Sequence, residues 1–201
     1  MQSTRRFLLA ATASLLAVPA LADDQAVAAD PRMAPRALGP ADAKVTVEEW
    51  FSYTCPHCAR FAADVFPEVE AQLIDPGKIR YVFCEYPRDQ LDLMAAMVNR
   101  AMPPERYVPF MLSLLESQQR WAYDRSVDPK EELAKMAALA GMPRSTFDAA
   151  IADDKLKSAL LAAQSVAEKK YAINSTPTFV VNGKPHSGEM NFDSFEKMVG
   201  V

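Results

Sequence analysis

With 201 residues, 50% of them hydrophobic and 24% charged, the chain has the length of one domain and the composition of an ordinary globular protein. Its 26 acidic against 22 basic side chains give a net charge of −4, which speaks against nucleic-acid binding, a function that relies on clustered positive charge. Three cysteines are too few for a disulfide-stapled scaffold.

The chain starts MQSTRRFLLAATASLLAVPALA: basic at Arg5 and Arg6, apolar from Phe7 to Val18, small at Ala20-Leu21-Ala22. This is the pattern of a signal peptide over residues 1–22, cleaved before Asp23. A membrane anchor is the weaker reading, because the apolar run is shorter than the ~20 residues a spanning helix needs. The arginine pair is similar to a twin-arginine signal, but Phe7 follows it directly, and the ordinary secretion route is favoured. Cleavage removes two basic residues and no acids, which makes the balance more acidic. Export also places the cysteines where disulfides can persist.

Residues 23–43 are rich in Ala, Pro and Asp without a sustained apolar period, and are expected to be a flexible leader. VTVEEWF (45–51) is β-branched and aromatic, a strand running into Ser52-Tyr53-Thr54-Cys55. From Pro56, suited to a first helical turn, Phe61, Val65, Phe66, Val69 and Leu73 recur at helical spacing. Asp75-Pro76-Gly77 stops that helix, and KIRYVFCEYP follows as a second strand, which implies a parallel βαβ crossover.

From residue 89 to 171 the pattern is almost wholly helical: LDLMAAMVNRAM, ERYVPFMLSLLESQQRWA, DPKEELAKMAALAG, PRSTFDAAIADD and KLKSALLAAQSVAEKKYA. The methionines here sit at the spacing of buried faces and are expected to fill the core rather than to form a metal-binding array. TPTFVVNGKPHSGEM then forms a hairpin about Asn182-Gly183, and NFDSFEKMVGV a last helix capped by Asn191. The order predicts an α/β fold of thioredoxin type, residues 44–88 and 172–201, with an inserted all-helical domain over 89–171.

The chemistry centres on FSYTCPHCARF. A cysteine with a pKa of about 8.5 is mostly protonated at neutral pH, but Cys55 at a helix start faces unpaired N–H groups and the positive end of the helix dipole. Cys55 is therefore the nucleophile, and Cys58, one turn on, is placed to resolve a mixed disulfide. His57 between them can carry positive charge or donate a hydrogen bond to the Cys55 sulfur. Stabilising the thiolate favours the reduced form and makes the disulfide a stronger oxidant. A zinc site would need further ligands, and only Cys84, His57 and His186 are available without a second CxxC. A purely structural disulfide would close too small a loop to remove much chain entropy.

EWFSYTCPHCARF, the later STPTFVVNG and the helical block between them resemble the DsbA family of thioredoxin-fold oxidoreductases, over residues 45–201. The resemblance implies a catalytic set of Cys55, Pro56, His57 and Cys58, and a cis bond at Thr176-Pro177, whose backbone would bind substrate. It also points to Glu49, where thioredoxin-fold proteins often carry a buried acid, as a proton acceptor for Cys58; strand alternation would send neighbouring Glu48 to the opposite face. The implied function is a periplasmic oxidase that donates the Cys55–Cys58 disulfide to reduced or misoxidised secreted proteins. It would act as a monomer, need no cofactor, and be reoxidised by a quinone-linked membrane thiol oxidase of the DsbB type.

Two features depart from the family's pattern. Thr176 stands where the family's best-known oxidases carry an apolar residue, and a hydroxylic residue there is shared with disulfide isomerases and reductases, which makes such an activity the alternative. A leader of residues 23–43, however, is too short for the separate dimerisation domain of isomerases. A zinc or copper carrier is the alternative from another class. Cys84 has no cysteine partner in the helical block and is expected to be a buried core thiol, with a reactive third thiol as the other possibility.

Overall fold

The computed structural model describes residues 30–201; the expected signal peptide and the first part of the leader, residues 23–29, lie outside the described residues. Five strands form one mixed sheet: β1 (Arg36–Leu38), β2 (Val45–Phe51), β3 (Ile79–Glu85), β4 (Thr178–Val181) and β5 (Lys184–Ser187). They lie in the order β1-β3-β2-β4-β5, with only β2 and β3 parallel. That parallel pair requires a crossover. It is supplied by α1 (Pro56–Asp64), α2 (Phe66–Val69) and a π-type turn over Glu70–Ile74.

The crossover is not the single helix that the apolar spacing suggests. It breaks at Val65 (φ −122°, ψ −41°), because Pro67 lacks an N–H and its ring would clash with the carbonyl four residues earlier. Pro67 instead sits in the first turn of α2, where its missing donor costs nothing.

The leader is also more ordered than its composition suggests. Asp30 caps a 3₁₀ turn over Pro31–Met33, and Arg36, Ala37 and Leu38 pair with Phe83, Val82 and Tyr81 of β3. The flexible-leader expectation is therefore corrected from Asp30 onward. Three residues bounded by proline and glycine show no period of their own, and the strand forms because β3 offers it a free edge.

Between β3 and β4 stand five helices: α3 (Gln90–Arg100), α4 (Pro104–Glu116), α5 (Pro129–Leu139), α6 (Arg144–Ile151) and α7 (Asp154–Tyr171). Asp89, Asp128 and Asp153 cap α3, α5 and α7, each accepting main-chain N–H bonds at the helix start. The segment expected as one helix through Ala122 ends at Glu116 and re-forms as a π-type turn over Gln119–Tyr123. After the β4–β5 hairpin the chain closes with α8 (Phe192–Val199), capped by Asn191.

Two apolar layers flank the sheet. On one face Phe61 of α1, Phe179 of β4 and Phe195 of α8 stack at 4.7 to 5.9 Å between centroids. This core continues into the helical block, where Met97, Met102, Met111, Met136 and Met142 are buried in it. On the other face Trp50, Tyr86, Ala167, Ile173 and Val180 form a smaller cluster.

The helical block is tied to the sheet by a buried ion pair. Arg100, the last residue of α3, donates from Nε and Nη2 to Glu85 Oε1 and Oε2 at 2.7 and 2.6 Å, and Tyr107 Oη donates to Oε1 at 2.6 Å. From Nη1 the same guanidinium reaches the carbonyls of Arg32 and Ala34 at 3.2 and 2.9 Å. Removing one member of a buried pair strands the other charge. Arg100→Met is expected to cost roughly 3–5 kcal/mol in urea unfolding, and the double variant with Glu85→Gln far less. Equal losses in the single and double variants would show that the stranded charge is not the source of the cost.

Candidate active site

Strand β2 ends at Phe51, and the chain turns through Ser52, Tyr53 and Thr54 into α1, with Cys55 as its N-cap (φ −91°, ψ 117°) and Pro56 as its first residue. No side chain caps this helix through a hydrogen bond, so its first N–H groups face the sulfur instead. Cys55 and Cys58 are free thiols, 1% and 0% exposed.

Across the turn the Thr176–Pro177 peptide bond is cis. Cys55 Sγ lies 3.2 Å from the Thr176 carbonyl oxygen. The Cys55 pKa is pulled down to about 5, first by a hydrogen bond from the Cys58 thiol; burial opposes this, while the N–H groups of Cys58 and His57 add to it. Cys58 moves the other way. Burial pushes its thiol well up, and the hydrogen bond to Cys55 and the charges of Cys55 and Glu49 add to the rise. Two identical side chains one helical turn apart are thus held as a thiolate and a thiol.

The part expected of the His57 side chain needs correction. Its ring is exposed, with Nδ1 2.7 Å from Arg60 Nη2 and 3.2 Å from Glu189 Oε2. Arg60 in turn donates to Glu189 at 2.9 Å. The imidazole is therefore engaged with this surface pair, and His57 supports Cys55 through its main-chain N–H.

Glu49 is 4% exposed and shares its sheet face with Val47 and Phe51. Tyr81 Oη donates to its carboxylate at 2.8 Å. Burial raises the Glu49 pKa to about 7 against the effect of Tyr81, with the Cys55 charge adding to the rise. Glu48 lies on the opposite face, accepting from Trp50 Nε1 at 3.1 Å and Tyr171 Oη at 3.3 Å. Cys84 is on that face too, half-buried rather than buried, packed on the Trp50 cluster with burial raising its pKa. The sheet separates it from Cys55 and Cys58, so it cannot complete a metal site with them.

Several contributors carry no sequence signal. Asp92, 1% exposed in the first turn of α3, accepts from the N–H of Tyr53 at 2.8 Å and of Arg88 at 2.9 Å. Asp89, recognisable only as a helix cap, also accepts from Thr54 Oγ1 at 2.9 Å. Gln118 Nε2 donates to the carbonyls of Tyr53 and Cys55 at 2.8 and 3.1 Å, and Tyr123 Oη donates to that of Thr54. All four side chains come from the helical block, more than thirty residues along the chain.

Residues 32–200 match the thioredoxin family. A protein of Rickettsia prowazekii named as a protein-disulfide oxidoreductase is 34% identical over 147 residues, 73% of this chain and 53% of that protein; the chain thus spans about half the length of such Rickettsia relatives. Disulfide bond formation protein D of Bacillus subtilis is 28% identical over 174 residues, 81% of this chain and 74% of that protein. Among solved structures, alpha-DsbA1 of Wolbachia pipientis superposes with a TM-score of 0.76 at 28% identity, covering 83% of this chain and 89% of that one. A thioredoxin sheet carrying a helical insertion, a CxxC at a helix start and a cis-proline facing it agree with these likenesses: the chain belongs to the thioredoxin family and is similar to its protein-disulfide oxidoreductases and DsbA-like structures.

Proposed function

We propose that this protein is a periplasmic thiol:disulfide oxidase that donates the Cys55–Cys58 disulfide to secreted proteins. The observation that carries this reading is the placement of the two thiols: Cys58, buried one turn on, donates to the sulfur of Cys55, which caps α1 with no side chain on its free N–H groups, and Cys55 is thereby pulled down to about 5 and Cys58 pushed well above its ordinary value. A stabilised Cys55 thiolate favours the reduced protein, and hence transfer of the disulfide outward. Export is supported by the pattern from Arg5 to Ala22, and the family likeness supports reoxidation by a quinone-linked membrane thiol oxidase.

In the exchange, a substrate thiolate attacks Cys55 Sγ of the oxidised protein, the Cys55–Cys58 bond breaks, and the electron pair leaves on Cys58. Glu49 is a buried acid whose charge reaches Cys58 and can supply the proton that Cys58 then takes up, since a carboxyl with a pKa of about 7 can give and recover it at neutral pH. A second substrate thiolate attacks the substrate sulfur of the mixed disulfide and expels Cys55. The substrate is oxidised by two electrons and the protein is left as a dithiol. Thr176 beside the sulfur supports the second reading, an isomerase or reductase, which would use the same thiols in the opposite direction.

Equilibration in glutathione buffers distinguishes the two. A potential well above the glutaredoxin range of about −200 to −230 mV is expected, whereas one near the −270 mV typical of thioredoxin overturns the oxidase reading. Stability gives an independent check. The folded pKa of Cys55 lies below its unfolded value, so its stabilisation of the reduced form is complete above the unfolded value of about 9 and is lost as pH falls through about 5. At pH 7 the reduced protein should melt above the oxidised one, with the gap narrowing toward pH 5; a gap that widens in acid contradicts the thiolate assignment. Glu49→Gln should slow turnover of a dithiol peptide by roughly tenfold or more and flatten its pH dependence around 7. Unchanged turnover and an unchanged profile would remove Glu49 from the proton path.

A further inference from the structure

The turn that carries the nucleophile has its main-chain polar groups almost fully assigned. On the donor side, Tyr53 N–H goes to Asp92, Thr54 N–H to Ser52 Oγ at 3.2 Å and Cys55 N–H to the Ser52 carbonyl at 3.2 Å. On the acceptor side, the three successive carbonyls of Tyr53, Thr54 and Cys55 all receive side-chain donors from one short segment: Gln118 takes the first and third, Tyr123 the second. The Cys55 carbonyl also accepts the first helical bond of α1, from Ala59 N–H at 3.1 Å.

That segment is where the helical block departs from regular geometry. Helix α4 ends at Glu116, Ser117 leaves the helical region (φ −91°, ψ 10°), and a π-type turn spans Gln119–Tyr123. Single π turns concentrate at functional sites. Here the break brings Gln118 and Tyr123, five residues apart, onto neighbouring carbonyls of one turn. Gln118 is 2% exposed, and its single amide group ties the Tyr53–Thr54 peptide plane to the Cys55–Pro56 plane, with the Thr54–Cys55 plane between them held by Tyr123.

We infer that Gln118, seconded by Tyr123, is a positioning residue for disulfide exchange, through which the helical insertion fixes the Cys55 backbone and so sets how readily its thiolate forms. The Cys55 sulfur is held by the Cys58 thiol and by the N–H groups of His57 and Cys58, and hydrogen bonds weaken steeply when their angles open. A buried amide that locks the Tyr53 and Cys55 carbonyls keeps those donors aimed. Without it the Tyr53 carbonyl would lose its donor and the Cys55 carbonyl one of two, and both would pull the turn toward other partners or water. This inference rests on the thiol exchange assigned above, but not on its direction.

The test uses the intact chain with Gln118→Met, which keeps the side chain's length and removes both donors, and Tyr123→Phe, a milder change at a side chain open to solvent. The apparent pKa of Cys55 is read from thiolate ultraviolet absorbance, and the equilibrium constant with glutathione from alkylation of reduced protein. Both are taken without substrate or redox partner. Leu133→Ala, in the core of the helical block and without a hydrogen bond to the turn, is the control for lost stability alone. Gln118→Met is expected to raise the Cys55 pKa by about one unit and to make the disulfide about tenfold less oxidising. Tyr123→Phe should shift both in the same direction by a smaller factor, and Leu133→Ala should lower the melting temperature without moving either. A Cys55 pKa and glutathione equilibrium equal to the parent's in both Gln118→Met and Tyr123→Phe, whatever their melting temperatures, would overturn the inference and leave the segment a structural brace. Should Gln118→Met fail to fold, Tyr123→Phe decides alone.

Discussion

Glu85 and Arg100 meet in a bidentate pair away from solvent, and three parts of the chain hang on that contact. Glu85 ends β3, Arg100 ends the first helix of the insertion, and the same guanidinium holds the carbonyls of Arg32 and Ala34 ahead of β1. Charges so deeply placed contribute little net stability compared with apolar groups of the same shape. What they do supply is register. With its last residue fixed to β3, α3 can lie in only one orientation over the sheet, and its first turn then delivers Asp89 and Asp92 to the loop before Cys55.

Chemical asymmetry in the active site follows from that placement and from burial. Cys55 and Cys58 differ by three positions, yet one accepts from the Cys58 thiol and the N–H groups of the helix start while burial raises the pKa of the other. Glu49 is enclosed with it, bonded by Tyr81 and shifted into the range where a carboxyl exchanges protons at neutral pH. Electrostatics at a helix start and desolvation one turn later act in opposite senses on the same functional group.

Much of this is legible in the amino-acid sequence where a residue's role is local. The β-branched run of β2, the Asn182-Gly183 turn, the CxxC at a helix start and the helix cap at Asn191 declare themselves within a few residues. Long-range relations do not. Strand β1 is too short to show a period and exists because of an edge in β3; the crossover breaks where Pro67 outweighs an unbroken apolar stripe. His57 reads as a partner for the Cys55 sulfur until Glu189, brought near by the β4–β5 hairpin, takes its ring. Gln118 and Tyr123 lie in ESQQRWAY, which carries no motif, and only the folded chain sets them against the Cys55 turn.

Cys84 shows what the sheet accomplishes beyond architecture. Three thiols within reach of one another permit three alternative pairings, and a chain that forms and breaks disulfides in each cycle would visit all of them. Here the third sulfur lies behind a layer of backbone, with its ionisation suppressed by burial. Two of the three pairings within the chain are thereby closed off, and oxidation of the folded protein can join only Cys55 to Cys58.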